Sequence, residues 1–191
     1  DSLINVKIPS SVVTIGEYAF GQCHSLVSIE IPDSVTDIGG FAFYQCANLK
    51  RVKLSNNISV ISSGLFFSCH ELTTIKIPDG ITSIEDYAFR ECSKFTNITM
   101  PDSIVNIGLA AFAGCGMESV IIPERVKYIG ESAFATCNKL KSIVVPYSVE
   151  SIGSSAFYNS DQLSSIEILN PNCEIYDHSG TINSSATIYG Y

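Results

Sequence analysis

Seven cysteines are the residues of this chain best suited to chemistry, since thiolates bind metal ions, attack electrophiles and form disulfides. Six of them recur in steps of 23 residues, with a last step of 22: Cys23, Cys46, Cys69, Cys92, Cys115 and Cys137. Zinc sites instead draw their ligands from close pairs such as C-x-x-C. The spacing therefore predicts no metal site, and we expect the protein to work without a cofactor.

The three histidines lack the partners that catalysis or metal binding requires. His70 and Glu71 begin like the zinc motif H-E-x-x-H, but the second histidine is absent. His24 lies two 23-residue steps before His70, and His178 has no nucleophile pattern beside it. The chain contains no G-x-S-x-G, phosphate-binding loop or G-x-G-x-x-G motif. Because catalysis needs a unique set of converging groups, we do not expect an enzyme.

Charge and hydropathy argue against two further classes of protein. Eleven basic and 19 acidic residues give a formal net charge of −8, whereas nucleic-acid binding relies on a basic surface. No apolar run approaches the roughly 18 residues of a membrane span, and no signal-peptide pattern follows Asp1. We therefore expect no nucleic-acid partner, no membrane insertion and no signal peptide within this sequence.

The cysteine spacing belongs to a repeat that runs through the chain. Phenylalanines keep the same steps: Phe20, Phe43, Phe66, Phe89, Phe112, Phe134 and Phe157. The shared pattern is L-x-x-I-x-I-P-x-x-V-x-x-I-G-x-x-A-F-x-x-C-x-x. Seven complete units begin at Leu3, and a partial eighth begins at Leu163. Because one unit cannot bury its apolar side alone, stacked units should form a single domain over 1–191, with a C-terminal cap at about 169–191.

Each unit contains short segments of different periodicity. In Ser28–Ile31, isoleucines alternate with polar residues, which indicates a half-buried strand. Val35–Ile38 predicts a second short extended segment, and the spacing of Ala42, Phe43 and Cys46 predicts one helical turn. Such units stack about 4.7–4.9 Å apart as a parallel strand ladder. The sequence thus predicts a β-rich, α/β-type leucine-rich-repeat solenoid of 23-residue coils.

One residue is missing from the repeat near Gly116, between the cysteine of one unit and the opening residue of the next. A strand that slips by one residue turns every side chain to the wrong face. We therefore expect this deletion to shorten a loop and to leave the strand register unchanged.

Stacking decides how the cysteines behave. Equivalent residues on adjacent coils would have Cα atoms near 5 Å apart, within disulfide range, but their Cβ vectors would be parallel. We therefore expect buried free thiols that pack as small hydrophobes, which agrees with the serine, Ser160, at the end of the column. Cys173 lies in the cap, and we expect it to be buried as well.

The repeat resembles the BspA-like leucine-rich repeat. Leu26–Pro32 and Val35–Cys46 match that signature column by column, and the resemblance covers roughly residues 1–168. The tail is similar to the closing segment of such arrays in secreted proteins of gut clostridia, where cell-wall-binding or dockerin modules can follow. Departures are few: Ser55 for Pro, Leu65 for Ala, Ser160 for Cys, and Ser62 and Glu85 for Gly. The resemblance implies secreted or cell-surface interaction proteins, including adhesins, and it does not imply an enzyme.

Outward positions of the first strand offer a candidate ligand site. This strand face carries six basic side chains against three acidic ones, whereas the rest of the chain carries five basic and 16 acidic. The basic residues are Lys7, Lys50, Arg51, Lys53, Lys76 and Lys141, and the acidic ones are Glu30, Glu118 and Glu167. Our candidate ligand-binding residues are Arg51, Lys53, Lys76, Asn97, Thr99, Ile121 and Val144. The alternative is that lysines on a sheet serve only solubility.

Two other surface columns have competing explanations. Carboxylates and an amide after the prolines would suit either Ca²⁺ or simple turn chemistry: Asp33, Asn56, Asp79, Asp102 and Glu124. Exposed aromatic residues would either stack on sugars or pack on each other: Tyr18, Phe41, Tyr87, Tyr44, Phe67 and Tyr158. We favour turn chemistry for the first column and mutual packing for the second.

The sequence therefore predicts a non-enzymatic recognition or adhesion module, extracellular or at the cell surface of a bacterium, that binds a protein or a cell-surface glycan. Two alternatives remain open. The module is a structural spacer in a larger multidomain protein, or it is a carbohydrate-binding module in a fibre-degrading assembly.

Overall fold

A computed structural model of the chain describes residues 2–176 and 187–189. Sixteen short strands, numbered in chain order, alternate between two parallel ladders. The first ladder consists of β2 (Ser28–Glu30), β4 (Arg51–Lys53), β6 (Thr74–Lys76), β8 (Asn97–Thr99), β10 (Ser119–Ile121), β12 (Ser142–Val145), β14 (Ser165–Ile168) and β16 (Thr187–Tyr189). The second consists of β1 (Thr14–Ile15), β3 (Asp37–Ile38), β5 (Val60–Ile61), β7 (Ser83–Ile84), β9 (Asn106–Ile107), β11 (Tyr128–Ile129), β13 (Ser151–Ile152) and β15 (Glu174–Ile175).

Each coil places equivalent residues side by side. In the first ladder Ile29 pairs with Val52, and in the second ladder Ile84 pairs with Ile107. Within the described residues, ladder pairing in the first ladder falls into three groups: β2–β4, β6–β8 and β10–β12–β14–β16. The second ladder is continuous from β5 to β15, and β1 pairs separately with β3. The predicted solenoid of stacked coils is confirmed, although its first ladder is interrupted.

The deletion near Gly116 shortens the loop between β9 and β10. Across it, Ile107 of β9 still pairs with Ile129 of β11, so the second ladder keeps its register. Strand β8 contacts β10, but the two are not joined as a pair in the described part of the ladder. The expectation that the deletion falls in a loop is confirmed, and the first ladder has a similar gap between β4 and β6, where no residue is missing.

Phenylalanine rings form the central column of the core. Six of them are fully buried: Phe43, Phe66, Phe89, Phe112, Phe134 and Phe157. Neighbouring rings in this column stack with centroids 5.4–6.0 Å apart and interplanar angles of at most 20°. One continuous cluster of buried residues runs from Ile15 to Ile168, with Phe20 packed partly buried at its N-terminal end. Burial of this apolar column is the main favourable term for the fold.

The predicted helical turn is wrong, because the described chain folds there into consecutive turns and contains no helix. Two residues of every complete coil have φ between 48° and 74°. The first set is Tyr18, Phe41, Gly64, Tyr87, Ala110, Ser132 and Ser155, and the second is Gln22, Gln45, Ser68, Glu91, Gly114, Thr136 and Asn159. A right-handed helix cannot continue through left-handed residues.

These left-handed residues redirect backbone N–H groups towards the next coil. The N–H groups of Phe41, Phe43 and Gln45 donate to carbonyl oxygens one coil further on, at 2.8–3.1 Å. The N–H groups between them, such as that of Tyr44, instead donate three residues back within the same coil. The turns therefore form a third ladder between coils. Its hydrogen bonds offset a conformational cost of about 1–2 kcal/mol for each non-glycine left-handed residue.

The glycine of the repeat pattern, just before the turns, is favoured because a Cβ atom there would contact the preceding coil, and not because of its φ angle. A Cβ atom on Gly108 would lie 2.6 Å from the backbone nitrogen of Asp86 on the preceding coil. At Gly16, in the first coil, a Cβ would meet nothing within 4 Å. Neither glycine has a left-handed φ. Close approach of neighbouring backbones therefore favours glycine at Gly108, whereas the third and fourth coils accommodate Ser62 and Glu85 at the equivalent position.

We predict that Gly108→Ala destabilises the protein by about 1–3 kcal/mol, because the added methyl group overpacks two backbones. The matched change Gly16→Ala at the open end should leave the free energy of unfolding within about 0.5 kcal/mol of the original. Urea denaturation followed by circular dichroism measures both. Equal stabilities for the two variants would contradict the close-approach explanation.

Candidate ligand-binding face

The outward side chains of the first ladder line a recessed surface, which we call the strand face. Along coils one to four it forms a groove of about 720 Å³. Arg51, Lys53 and Lys76 line this groove together with Ser28 and Thr74. Strand alternation causes this arrangement, since the residue between each outward pair points into the core.

The structure pairs one of the three predicted cations with a carboxylate. Lys53 Nζ donates to Glu30 Oε1 on the preceding coil. The hydrogen bond and the charge of Glu30 raise the pKa of Lys53. Both side chains are about two-thirds exposed, so solvent screening makes this pair a minor contributor to stability. Its effect on the strand face is to neutralise one of the charges that the composition alone counts as free.

Arg51 and Lys76 have no salt-bridge partner in the described part of the chain, so no carboxylate offsets their charges there. Lys141, another cation of this face, lies 3.6 Å from Glu118. The sequence analysis counted Glu30 and Glu118 on this face but did not predict their ion pairs with Lys53 and Lys141. The signal was present, because Glu30 precedes Lys53, and Glu118 precedes Lys141, by one repeat of 23 residues.

The remaining predicted site residues lie on the same face beyond the groove. Asn97 pairs with Thr74, and Thr99 pairs with Lys76, so both continue the columns of the groove residues. Ile121 pairs with Val144 further along, and these side chains are 84% and 48% exposed. The structure therefore places all seven predicted residues on one exposed surface. Only Arg51, Lys53 and Lys76 belong to the recess itself.

Most of the cysteine column lies inside the solenoid as free thiols, as predicted, but Cys23 in the first coil is partly exposed, so the expectation that it is buried is wrong. Five thiols are buried: Cys46, Cys69, Cys92, Cys115 and Cys137. Each donates its S–H to the carbonyl oxygen of a phenylalanine on the preceding coil, at 3.0–3.2 Å. Ser160 makes the same bond to Phe134 at 2.9 Å, which explains why serine can end the column. Cys173 is partly exposed, so the expectation that it is buried is wrong.

Burial makes these thiols chemically inert. Desolvation raises the pKa of Cys46 and of Cys137 to about 12, and it raises the pKa of Cys69, Cys92 and Cys115 as well. Since the thiolate is both the nucleophile and the metal ligand, a raised pKa keeps these five thiols in their less reactive protonated form at neutral pH. In the described residues no group of three or more His, Cys, Asp and Glu side chains is arranged to hold a metal ion.

The histidines and the column after the prolines form hydrogen bonds with the neighbouring coil. Nδ1 of His24 and of His70 lies 3.0 and 2.9 Å from a backbone oxygen of the next coil, and both residues are exposed. His178 lies outside the described residues. The backbone N–H of Asn56 donates to Asp33 at 2.8 Å, and this bond lowers the pKa of Asp33. These hydrogen bonds join neighbouring coils and do not close the turns themselves, so turn chemistry for the column stays a prediction.

The surface aromatic residues largely pack on each other. Tyr18 stacks on Phe41 at 5.2 Å, and Tyr44 contacts Phe67 at 5.4 Å. The Arg90 guanidinium lies over the rings of Phe67 and Tyr87, at 5.5 and 5.7 Å. Tyr158 stands apart and is 51% exposed. Mutual packing is therefore confirmed for Tyr18, Phe41, Tyr44 and Phe67, whereas Tyr87 packs against Arg90.

The stacked coils, parallel ladders and buried columns define a leucine-rich-repeat solenoid. The chain belongs to the BspA type leucine rich repeat region, which matches in six copies over residues 1–78 and 60–180. No curated protein matches the sequence. In the described residues no helix has the length and apolar character needed to cross a membrane.

Solved structures of bacterial leucine-rich-repeat proteins are similar to this chain. A protein from Bacteroides ovatus has a TM-score of 0.77 at 28% identity, and the match covers 96% of this chain and 55% of that one. A Treponema pallidum protein, TpLRR, has a TM-score of 0.74 at 30% identity, covering 80% of this chain and 72% of its own. A leucine rich cell surface protein from Faecalibacterium prausnitzii has a TM-score of 0.61 at 26% identity, covering 94% and 65%. The chain thus spans about half the length of the Bacteroides ovatus protein.

We predict that iodoacetamide alkylates only Cys23 and Cys173 in the folded protein, because these two thiols are partly exposed. The other five should react only after unfolding. Intact-mass spectrometry before and after adding urea counts the modified thiols. Alkylation of five or more thiols without urea would contradict the buried column.

We also predict a steep loss of stability above pH 9. A buried thiol whose pKa is raised stays protonated in the folded state, while the unfolded chain ionises above its ordinary value of 9.0. The stabilisation is therefore complete below pH 9 and decreases as the pH rises towards the folded-state values, by up to about 1.4 kcal/mol per pH unit for each thiol. Urea midpoints at pH 7, 9 and 10 measure the slope, and Cys92→Ser should reduce it by one thiol's share. An unchanged midpoint would contradict the prediction.

Proposed function

We propose that the chain is a non-enzymatic recognition module of a secreted or cell-surface bacterial protein, and that it binds protein or cell-surface ligands through the strand face. The observation that supports this proposal is the recessed groove with three cations, Lys50, Arg51 and Lys76, that have no salt-bridge partner in the described residues. The rest of the molecule is predominantly acidic, so such a surface attracts a complementary anionic ligand.

A rigid scaffold supports the same function. The strand face is fixed by backbone ladders, so a ligand that binds it orders little of the protein and loses less free energy to conformational entropy. Family membership adds support, because repeats of this kind form extended recognition surfaces and are not typical of enzymes. The neighbour described as a cell surface protein favours an extracellular location. The proposal includes no cofactor, no nucleic-acid partner and no membrane insertion.

Two other functions are compatible with the family. A spacer would hold anchoring, dockerin or catalytic modules apart and would bind nothing through its strand face. A carbohydrate-binding module in a fibre-degrading assembly would bind plant glycans. A glycan array distinguishes the second from protein recognition, and the experiment below distinguishes the first.

We predict that the triple change Arg51→Glu, Lys53→Glu and Lys76→Glu weakens binding to epithelial cells and matrix proteins about tenfold or more, because it reverses the charge of the groove. The matched control is Lys94→Glu, Arg125→Glu and Lys139→Glu, which alters the net charge equally at exposed positions away from the groove. Binding of the labelled module is measured at several salt concentrations, with thermal melts to verify folding.

The control variant should bind like the original protein, and added salt should weaken only binding through the intact groove. Equal binding and equal salt response for all three proteins would contradict the proposal. An original protein that binds no cell or matrix component would favour the spacer.

A further inference from the structure

The two outward columns of the strand face differ in chemistry. The first position of these strands bears a hydroxyl or an amide in all but one coil: Ser28, Thr74, Asn97, Ser119 and Ser142. The exception is Arg51. The third position changes character along the solenoid: Glu30, Lys53, Lys76, Thr99, Ile121, Val144 and Glu167. The first column is therefore able to form hydrogen bonds throughout, while the second changes from cationic to apolar between Lys53 and Val144 and has a glutamate at each end.

Only part of the cationic end is available to a ligand. Because Glu30 pairs with Lys53, Lys76 is the last cation of the third-position column without a salt-bridge partner in the described residues. Arg51 lies diagonal to it, at the first position of the preceding strand. At the other end, Ile121 is 84% exposed on β10, where the pairing of the first ladder is interrupted, and its neighbour Val144 is 48% exposed. Exposure of a branched aliphatic side chain to water is unfavourable, and covering it with a ligand is favourable.

The spacing of these groups restricts the ligand. Lys76 and Ile121 are two coils apart, about 10 Å at a strand spacing near 4.8 Å. A polypeptide in the polyproline II conformation rises about 3.1 Å per residue and has three residues per turn, so its side chains at positions i and i+3 point the same way about 9.3 Å apart. In a β-strand, positions i and i+3 point to opposite faces. The column therefore matches a polyproline II segment better than a β-strand.

We propose that the strand face binds an extended acidic polypeptide segment in which an acidic residue and an apolar residue are three positions apart. The carboxylate contacts Lys76 and Arg51, and the apolar side chain covers Ile121 and Val144. The hydroxyl and amide column binds the peptide groups of the ligand, which form no internal hydrogen bonds in this conformation. This inference rests on the proposed function, because it names the partner of the same surface.

An anionic glycan fits this surface less well. It would be attracted by Arg51 and Lys76, but its hydroxyl groups would form no hydrogen bonds with Ile121 and Val144. A polypeptide can contact both the cationic end and the apolar end of the column. A substitution at one end of the column should then weaken binding only when the ligand carries the side chain that contacts that end. That dependence is what the experiment measures.

The probe is a fluorescein-labelled proline-rich peptide that contains the sequence Glu-Pro-Pro-Leu, and binding is followed by fluorescence anisotropy. Control peptides replace Glu by Gln or Leu by Ser, and one composition-matched peptide places Glu and Leu two positions apart. Protein variants are Lys76→Gln and Ile121→Ser, both at exposed positions where the fold is undisturbed. Lys139→Gln, exposed and away from the groove, is the control variant.

We expect each single change in the protein to weaken binding of the Glu-Pro-Pro-Leu peptide about fivefold to tenfold. Lys76→Gln should have no further effect on the Gln peptide, and Ile121→Ser should have none on the Ser peptide, because each pair of changes removes the same contact. Lys139→Gln should bind like the original protein. Equal binding of the peptide with altered spacing would overturn the inference.

A heparin fragment tested in parallel separates the two classes of ligand. If heparin binds through Arg51 and Lys76 and no peptide binds, the inference of a peptide partner is overturned while the recognition function stands. If the charge-reversed triple variant still binds cells as the original does, the proposed function itself fails. The two failures are therefore distinguishable.

Discussion

Hydrogen bonding between successive coils is the constraint on which the whole structure depends. Each coil donates and accepts along two strand ladders and along a third ladder formed by the turns. A parallel ladder holds neighbouring chains at one spacing, so like residues must superpose. The phenylalanine stack, the thiol column and the close-packed glycines all follow from that superposition. Even the left-handed φ angles of residues such as Tyr18 and Gln45 are imposed by it, since those residues have no intrinsic preference for this conformation.

Superposition also turns residues one repeat apart into neighbours. Four ion pairs join residues 23 positions apart: Glu30 with Lys53, Glu71 with Lys94, Glu118 with Lys141, and Lys127 with Glu150. All are solvent-exposed, so their contribution to stability is small. Their larger consequence is for recognition, because they remove charge from surfaces that would otherwise be more strongly basic or acidic. The positive character of the strand face is therefore concentrated at Arg51 and Lys76.

Departures from the repeat pattern make individual coils differ from one another. Ser160 replaces a thiol without losing its hydrogen bond, because a hydroxyl donates to the same phenylalanine carbonyl. Gly64 replaces a larger left-handed residue at a place where a Cβ would strike the Phe41 ring. Ile121 and Val144 replace the charged and polar residues of their column and leave an apolar surface on the paired strands β10 and β12. The first two departures preserve packing, whereas the third has no packing role and is the one that a ligand can use.

The period of 23 residues by itself determined the solenoid, the inward phenylalanine and cysteine columns and the outward strand face, because apolar residues at fixed spacing can be buried only by stacking in register. It determined the seven candidate binding residues as a set on one face. Only the tertiary structure decided that the predicted helical turn is a row of left-handed turns, since hydrogen bonds to the next coil outweigh local propensity there. It alone decided that Glu30 neutralises Lys53 and that Cys173 is partly exposed. These details depend on which side chains face each other across coils, and a local pattern along one chain does not contain that information.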